Sequence, residues 1–271
     1  MKSDPIDFDQ MISSLKASRK YRSLNLPDEF LLDILGTESK VHSDPRMLEQ
    51  VFRRKVHEVV APYLEKINYP LERTRMIQVF ESNDPAQIDA YCLDLLSKHS
   101  STRERIPFLH DIYSALFNVT GIPGIILDLA CGLHPFSLPW MGLKKNIAYH
   151  AFDIHMPRVD LINQFLALSG YISLAEQHDI LVSPPINAAD VTFLFKEAHR
   201  IEKRKPGATN HLLQMINSEW VILSLPVSDL KGHHDLSGKH RQLINSVVPN
   251  KFGLVHELTI GGELFFFLAK K

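Results

Sequence analysis

The sequence predicts an α/β fold, in which a mostly parallel seven-stranded sheet follows an all-helical N-terminal half. Short apolar runs that end in turn residues alternate with helical stretches from residue 119 onwards. Such runs are typical of buried parallel strands, and strands that alternate with helices give a sheet covered on both faces. We therefore expect a helical domain over residues 1–118 and a sheet domain over residues 119–271.

The individual elements follow from periodicity and end signals. Gly261 and Gly262 suit a tight turn between the last two strands, which predicts an antiparallel hairpin at one edge. Acidic residues or Asx-Pro pairs open most N-terminal helices. The predicted strands are 125–129, 147–152, 171–175, 191–195, 220–225, 252–259 and 263–269, and the predicted helices are 11–20, 28–35, 45–66, 70–80, 84–99, 197–217 and 239–247.

Charge is clustered locally although the whole chain is nearly neutral. A net charge of -1 over 271 residues excludes the bulk electrostatics of a generic nucleic-acid binder. Two basic segments, 18–22 and 53–55, could still contact RNA phosphates. They could equally be solvated helix faces, and the residues alone leave both interpretations open.

The chain is expected to be soluble and cytoplasmic. Its two cysteines, Cys92 and Cys131, form no CxxC pair, which supports neither a disulfide framework nor a Cys-rich zinc site. No apolar run approaches the roughly 18 residues of a membrane helix, and the first residues lack a signal-peptide core.

The first strand ends in a pattern typical of a nucleotide-cofactor loop. Asp128, Ala130 and Gly132 follow the apolar run, and a glycine there lets the backbone approach a ligand at the carboxyl edge of the sheet. Asp153 comes about 20 residues after Gly132 and ends the second strand, where an acid commonly accepts hydrogen bonds from ribose hydroxyls. Asp179 could bind an adenine amino group or lie in a solvated loop. The pattern points to S-adenosylmethionine, although an ordinary strand-to-turn junction would also fit.

Several longer motifs occur in order along almost the whole chain. They are Lys20-Tyr21-Arg22-Ser23-Leu24, Arg54-Lys55-Val56-His57, His99-Ser100-Ser101-Thr102-Arg103-Glu104-Arg105, Asp128-Leu129-Ala130-Cys131-Gly132-Leu133-His134-Pro135, Phe195-Lys196 and Gly262-Glu263-Leu264. With these motifs the chain resembles the aminoglycoside-resistance 16S ribosomal RNA methyltransferases, which methylate N7 of guanine 1405 in the decoding site.

The resemblance implies a Rossmann-like S-adenosylmethionine-dependent methyltransferase domain, with S-adenosylhomocysteine as product. It further implies a monomer that acts on 16S rRNA in the assembled small ribosomal subunit and confers aminoglycoside resistance. Arg105 would bind the cofactor carboxylate, with Thr102 nearby. The implied cofactor residues are Thr102, Arg105, Asp128, Ala130, Gly132, Asp153, Ile154, Asp179, Ile180 and Phe195, and the implied RNA-binding residues are Arg19, Lys20, Arg22, Arg53, Arg54 and Lys55.

No general base is expected, because guanine N7 carries a free lone pair at neutral pH. The target-facing segment departs from the family pattern: Leu225 replaces an aromatic residue, Ser228 replaces a basic one, and a Gly-Met-Glu tail is missing. The target-facing candidates are Lys196, Ser224, Pro226, Lys231 and His233.

The departures leave two alternatives open. One is a homologue that binds the cofactor and RNA but has another RNA target or no catalysis. The other is a small-molecule methyltransferase on the same fold, against which the helical N-terminal half argues.

The histidines of the target-facing segment could suggest a metal. His233 and His234 are adjacent, with Asp235 and His240 nearby. Adjacent loop histidines usually point in different directions, and spacing places no third ligand, so no metal is expected. If protonated, these side chains could instead contact phosphate.

Overall fold

A computed structural model describes residues 7–61, 67–229 and 232–271. A seven-stranded sheet has the order β3-β2-β1-β4-β5-β7-β6. Strands β1 to β5 pair in parallel, whereas β7 runs antiparallel to both β5 and β6. The α/β fold class and the C-terminal hairpin are confirmed. The strands are β1 Ile125–Leu129, β2 Ala148–Asp153, β3 Leu174–Gln177, β4 Ala188–Phe195, β5 Asn217–Pro226, β6 Phe252–Ile260 and β7 Glu263–Lys270.

Strand β1 lies at the point where the strand order reverses. Leu127 pairs with His150 of β2 on one side and with Thr192 of β4 on the other. In open α/β sheets, ligands bind in the crevice outside the carboxyl ends of the strands at such a point. The fold therefore places a ligand site beyond the ends of β1, β2 and β4.

Seven α-helices precede the sheet in the described part of the chain. Asp44 caps one of them by accepting a 2.8 Å hydrogen bond from the Met47 amide, and Pro45 occupies its first turn. The predicted helix 45–66 is seen as far as Val60, and residues 62–66 lie outside the described part of the chain. The helices are α1 Phe8–Ala17, α2 Asp28–Glu38, α3 Pro45–Val60, α4 Tyr69–Glu81, α5 Pro85–Ser97, α6 Ser100–Arg103 and α7 Leu109–Thr120.

Several predicted elements of the sheet domain are wrong in extent, and the fourth and fifth strands begin earlier than expected, at Ala188 and Asn217. The helix expected over 197–217 is two helices, because Gly207 adopts a φ of 81° directly after Pro206. The third strand begins at Leu174 and not at Tyr171, because the Tyr171 amide donates to the Leu166 carbonyl and still closes the preceding helix. The helices of this half are α8 Met156–Leu168, α9 Ala198–Arg204, α10 Ala208–Met215 and α11 Ser237–Val247.

Apolar side chains form three clusters. One belongs to α1–α3 and the turns between them, from Ile12 to Val60, and we call these helices the N-terminal module. Helices α4, α5, α7 and α8 pack on one face of the sheet, and α9–α11 cover the other. The division at residue 118 stays a prediction.

Among the described helices, none is long and apolar enough to cross a membrane.

Candidate active site

Two strained residues mark the carboxyl ends of neighbouring strands. Ala130, just after β1, has a φ of 50°, and Lys196, just after β4, has a φ of 58°. Non-glycine residues in this region cost roughly 1–3 kcal/mol and cluster at functional sites. Both lie at the edge where the strand order reverses, so backbone strain and topology indicate the same location.

Asp128 faces the interior of the sheet domain and holds the loop that follows β1. Its Oδ2 accepts hydrogen bonds from the Tyr149 hydroxyl at 2.7 Å and from His134 Nδ1 at 2.8 Å. The Tyr113 hydroxyl lies 2.7 Å from Nε2 of the same imidazole. Burial, followed by the nearby Asp128 charge, raises the pKa of Tyr149 well above its ordinary value, so its hydroxyl remains a donor. Asp128 therefore fixes the shape of the loop from behind.

Asp153 lies at the mouth of the same loop. One carboxylate oxygen accepts from the Gly132 amide at 3.1 Å and from Arg158 Nη1 at 3.0 Å, and the other accepts from the His155 amide at 2.8 Å. Gly132 has a φ of 56°, which brings its N–H towards the acid without steric cost. The arrangement holds a buried carboxylate in one orientation at the end of β2.

Asp179 is held by an arginine side chain, as Asp153 is. Arg204 of α9 donates two hydrogen bonds to its carboxylate, at 3.2 and 2.7 Å, and the Leu181 amide donates a third at 3.0 Å. Asp179 is only 1% exposed. It is therefore not the solvated loop acid that the sequence left open.

A cleft of about 210 Å³ joins these features. Ala130, Asp153 and Asp179 line it together with the apolar side chains of Ile154 and Ile180. Five of the ten predicted cofactor residues thus line the cleft. A sixth, Gly132, donates its amide hydrogen to Asp153. Lys55, predicted to bind RNA, lies in the opposite wall and pairs with Glu38 at 3.7 Å.

A second buried polar group lies at the ends of β4 and β5. The Arg105 guanidinium donates through Nε and Nη2 to both carboxylate oxygens of Glu263, at 2.6–3.1 Å, and Nη2 lies 3.5 Å from Ser224 Oγ. Lys196 Nζ is 3.3 Å from the same carboxylate and also pairs with Glu104. The structure thus brings Arg105, Lys196 and Ser224 together around an acid to which the sequence assigned no role.

Electrostatics explain why this group can be buried. Burial alone would raise the pKa of Glu263, but the charges of Arg105 and Lys196 hold it below its ordinary value. For Arg105 the signs are reversed: burial alone would lower its pKa, but the Glu263 carboxylate raises it above the ordinary value. The guanidinium also lies 4.7 Å from the centroid of the Phe195 ring. No hydrogen bond among the described residues uses Arg105 Nη1, which leaves one donor nitrogen for a further anion.

The remaining site candidates lie in different surroundings. Thr102 is buried and donates its hydroxyl hydrogen to the Leu96 carbonyl at 2.6 Å. The Pro226 carbonyl lies 2.8 Å from His240 Nδ1 at the end of β5. His233 is exposed, and its amide donates to Asp229 Oδ1 at 2.8 Å. Lys231 lies outside the described residues. The described residues contain no group of three or more potential metal ligands.

The two basic segments come together on the N-terminal module. Lys20 Nζ lies 3.5 Å from His57 Nε2 of α3, and Arg53 donates to Ser14 of α1 at 2.8 Å. Arg53 is also paired with Glu49 at 2.9 Å, whereas Arg22 and Arg54 are exposed. The exposed arginines are the better placed for a partner. Arg19 and Lys20 are also exposed.

The sequence patterns did not reveal the partners of the buried acids Asp128, Asp153 and Asp179, which are His134, Arg158 and Arg204. Nor did they reveal the buried acid Glu263 as the partner of Arg105. One signal was available: Glu263 is a single acid before the apolar run Leu264–Leu268, and a buried charge requires an opposite charge. Arg158 and Arg204 look like ordinary helix surface residues, because their partners lie on other elements.

Comparison with known proteins agrees with this geometry. The family described as "Ribosomal RNA methyltransferase (FmrO)" matches residues 17–241. The chain belongs to this FmrO family. A relative from Micromonospora rosea, named 16S rRNA (guanine(1405)-N(7))-methyltransferase, is 26% identical over 265 residues, which cover 97% of this chain and 96% of the relative. The suspected resemblance is confirmed.

Solved structures extend the comparison to the fold. The 16S rRNA methylase RmtB is 26% identical with a TM-score of 0.79, and the match covers 98% of this chain and 100% of RmtB. RmtF, solved in complex with S-adenosyl-L-homocysteine, has a TM-score of 0.80 at 22% identity, with coverage of 97% and 98%. The FmrO-family chain therefore has the fold of these enzymes over almost its entire length.

Proposed function

We propose that this FmrO-family protein transfers a methyl group from S-adenosylmethionine to N7 of guanine 1405 in 16S rRNA. The supporting observation is the cleft at the strand-order reversal, found in a chain of a ribosomal RNA methyltransferase family. The target atom is the one named for the Micromonospora rosea relative. The proposal includes action as a cytoplasmic monomer on the assembled small subunit, with aminoglycoside resistance as the result.

The cleft has the groups that this cofactor needs. Asp153 and Asp179 provide carboxylate acceptors for ribose hydroxyls and an adenine amino group, and Ile154 and Ile180 provide an apolar surface for the base. Arg105 Nη1 would bind the cofactor carboxylate. When bound, S-adenosylmethionine supplies an electrophilic methyl group.

Methyl transfer to N7 does not require the protein to remove a proton from the guanine. Because the N7 lone pair is free at neutral pH, the protein must align the base, exclude water and hold its own groups still. Lys196, Ser224 and Pro226 lie at the ends of β4 and β5 beside the Arg105–Glu263 pair. They are the residues that would border the target base. Lys196 is only 8% exposed and held by two acids, which suits a positioning role better than proton transfer.

Docking on the ribosome would use the N-terminal module. Arg22 and Arg54 are exposed on neighbouring segments of this module and can neutralise phosphates. Such contacts fix the orientation of the enzyme on folded RNA without reading its sequence.

Incubation of the purified protein with labelled S-adenosylmethionine and unmethylated bacterial small subunits tests the proposal. We expect N7-methylguanine at position 1405 of the 16S rRNA. Asp153→Ala should lose most cofactor affinity, whereas Arg22→Glu with Arg54→Glu should weaken subunit binding and leave cofactor affinity unchanged. Cofactor binding without label at this guanine would contradict the assignment and favour another RNA target or a non-catalytic role.

A further inference from the structure

The cofactor cleft lies between two parts of the chain that have separate cores. Ile34, Thr37 and Val59 of the N-terminal module form one wall, and Ile154 and Ile180 form part of the other. The buried apolar residues of the module cluster among themselves. The module therefore covers a cleft whose other wall is built by the sheet domain.

Arg204 joins the two walls. Besides its two hydrogen bonds to Asp179, its Nη2 donates to Asp33 of α2 at 3.0 Å. The guanidinium also lies 4.9 Å from the ring centroid of Phe30 on the same helix. The side chain of Arg204 is 13% exposed, that of Asp33 20% and that of Asp179 2%. One shielded guanidinium thus binds an acid from each side of the cleft.

The contacts leave Asp179 with a defined acceptor site. Its Oδ1 accepts from the Leu181 amide and from Arg204 Nη1, whereas Oδ2 accepts only from Arg204 Nη2 among the described residues. A carboxylate oxygen can accept two hydrogen bonds. One acceptor position on Oδ2 therefore remains, and Arg204 fixes its direction.

Other contacts join the same two segments. Glu29 of α2 accepts hydrogen bonds from the Asp179 amide and from Ser183 Oγ, both at 3.3 Å. Gln177 Nε2 donates to the carbonyl of Asn25, just before α2. The start of α2 is thus docked on the end of β3 and on the loop after it, which carries the proposed adenine-binding residues.

We propose that Arg204 is a positioning residue that orients Asp179 for the adenine amino group and, through Asp33, holds α2 as a lid over that end of the cofactor cleft. The inference rests on the proposed function, because it assumes that the cleft binds the cofactor. By linkage, anything that strengthens docking of the N-terminal module must strengthen cofactor binding, and the reverse. The module that would contact RNA is then energetically coupled to the cofactor site.

Calorimetric titration of the full chain with S-adenosylhomocysteine tests the lid. Asp33→Asn removes the charge that joins α2 to Arg204 and leaves the Arg204–Asp179 pair intact. It also removes the charge that faces Lys205, whose Nζ lies 3.3 Å from Asp33 Oδ1 and whose side chain is 49% exposed. We expect about threefold to tenfold weaker binding, the value of an ordinary hydrogen bond, because the Asn carbonyl can still accept from Arg204 and only the charge is lost. Asp28→Asn is the matched control, because Asp28 lies on the same helix, is 65% exposed and pairs only with Lys16 among the described residues. Its affinity should equal that of the wild type.

A second variant and a second measurement separate positioning from general stability. Arg204→Lys keeps a positive charge but cannot bond both acids through a planar fork, so its affinity should fall at least as far. If both variants act through one contact, the double variant should lose less affinity than the product of the single losses. Hydrogen exchange should show the ligand protecting amides of residues 28–38 in the wild type, and less protection in Asp33→Asn at saturating ligand.

The outcomes distinguish the two proposals. Wild-type binding with equal affinity for Asp33→Asn would overturn the lid and leave the proposed function intact. Weaker binding without a change in the exchange of α2 would also overturn it. Failure of the wild-type chain to bind the ligand would contradict the proposed function itself, and the inference with it.

Discussion

Replacement of Glu263 by Gln measures how strongly the buried ion pair at the carboxyl edge stabilises the fold. The substitution keeps the size of the side chain but removes the charge that faces Arg105 and Lys196. The side chains of Arg105 and Glu263 are only 4% and 2% exposed. The variant therefore leaves a buried guanidinium with no acid among its described hydrogen-bond partners.

The expected loss follows from this burial. Removal of one partner from a buried ion pair costs about 3–5 kcal/mol, because the remaining charge stays desolvated. The Gln carbonyl can still accept one hydrogen bond from Arg105, which favours the lower end. The matched control is Glu257→Gln on β6, whose acid makes the same kind of bidentate contact to Arg241 at 2.6–3.1 Å. These partners are 29% and 49% exposed, so their loss should cost less than about 1 kcal/mol.

Urea unfolding of both variants at pH 7 is the assay. The pKa of Glu263 is held below its ordinary value of 4.5, so the stabilisation is fully present above pH 4.5 and is lost as the pH falls through the lower folded value. The difference between wild type and Glu263→Gln should therefore be constant near neutral pH and shrink in acid. Equal losses for Glu263→Gln and Glu257→Gln would refute the reasoning.

Two further predictions concern the hairpin turn and the buried histidines. Gly261→Ala should lower the free energy of unfolding by more than Gly262→Ala does. A Cβ at 261 would lie 2.3 Å from the Phe108 side chain, whereas one at 262 meets nothing within 4 Å. Similar losses for the two variants in urea unfolding would contradict this. Burial lowers the pKa of both His155 and His199 to about 4, so the unfolding free energy should fall between pH 6.5 and 4 by up to about 3 kcal/mol for each. His199→Asn should reduce that slope, and an unchanged slope would show that His199 is not buried as a neutral group.

Sequence patterns predicted the sheet because its strands are short apolar runs with clear ends. All seven expected strands exist, and the Gly261-Gly262 turn joins the last two. The break at Pro206-Gly207 was missed because the apolar periodicity continues on both sides, although a Pro-Gly pair is itself a local signal for the end of a helix. Periodicity reports which face is apolar and carries little information about such bends.

The candidate site was only partly predictable for a related reason. Acids at strand ends are visible because their position is set by local structure, as for Asp153 at the end of β2. Their basic partners lie on other elements, and for Asp179 and Glu263 they lie far away along the chain. Arg105 and Glu263 are 158 residues apart in the chain, and no local pattern connects them.

The ion pairs that hold Asp153 and Asp179 suit a reaction that needs no general base. A buried charge requires an opposite charge and hydrogen-bond donors, and Asp153 and Asp179 have both, because Arg158 and Arg204 are bonded to them beside backbone amides. Attack by N7 requires no proton removal, and its rate depends on alignment in a site that excludes water. Side chains held by ion pairs keep one orientation and so favour such alignment. A general base, in contrast, must be free to accept and release a proton. On the proposed function, the Arg–Asp pairs would aid catalysis by keeping the cofactor cleft rigid before the substrates bind.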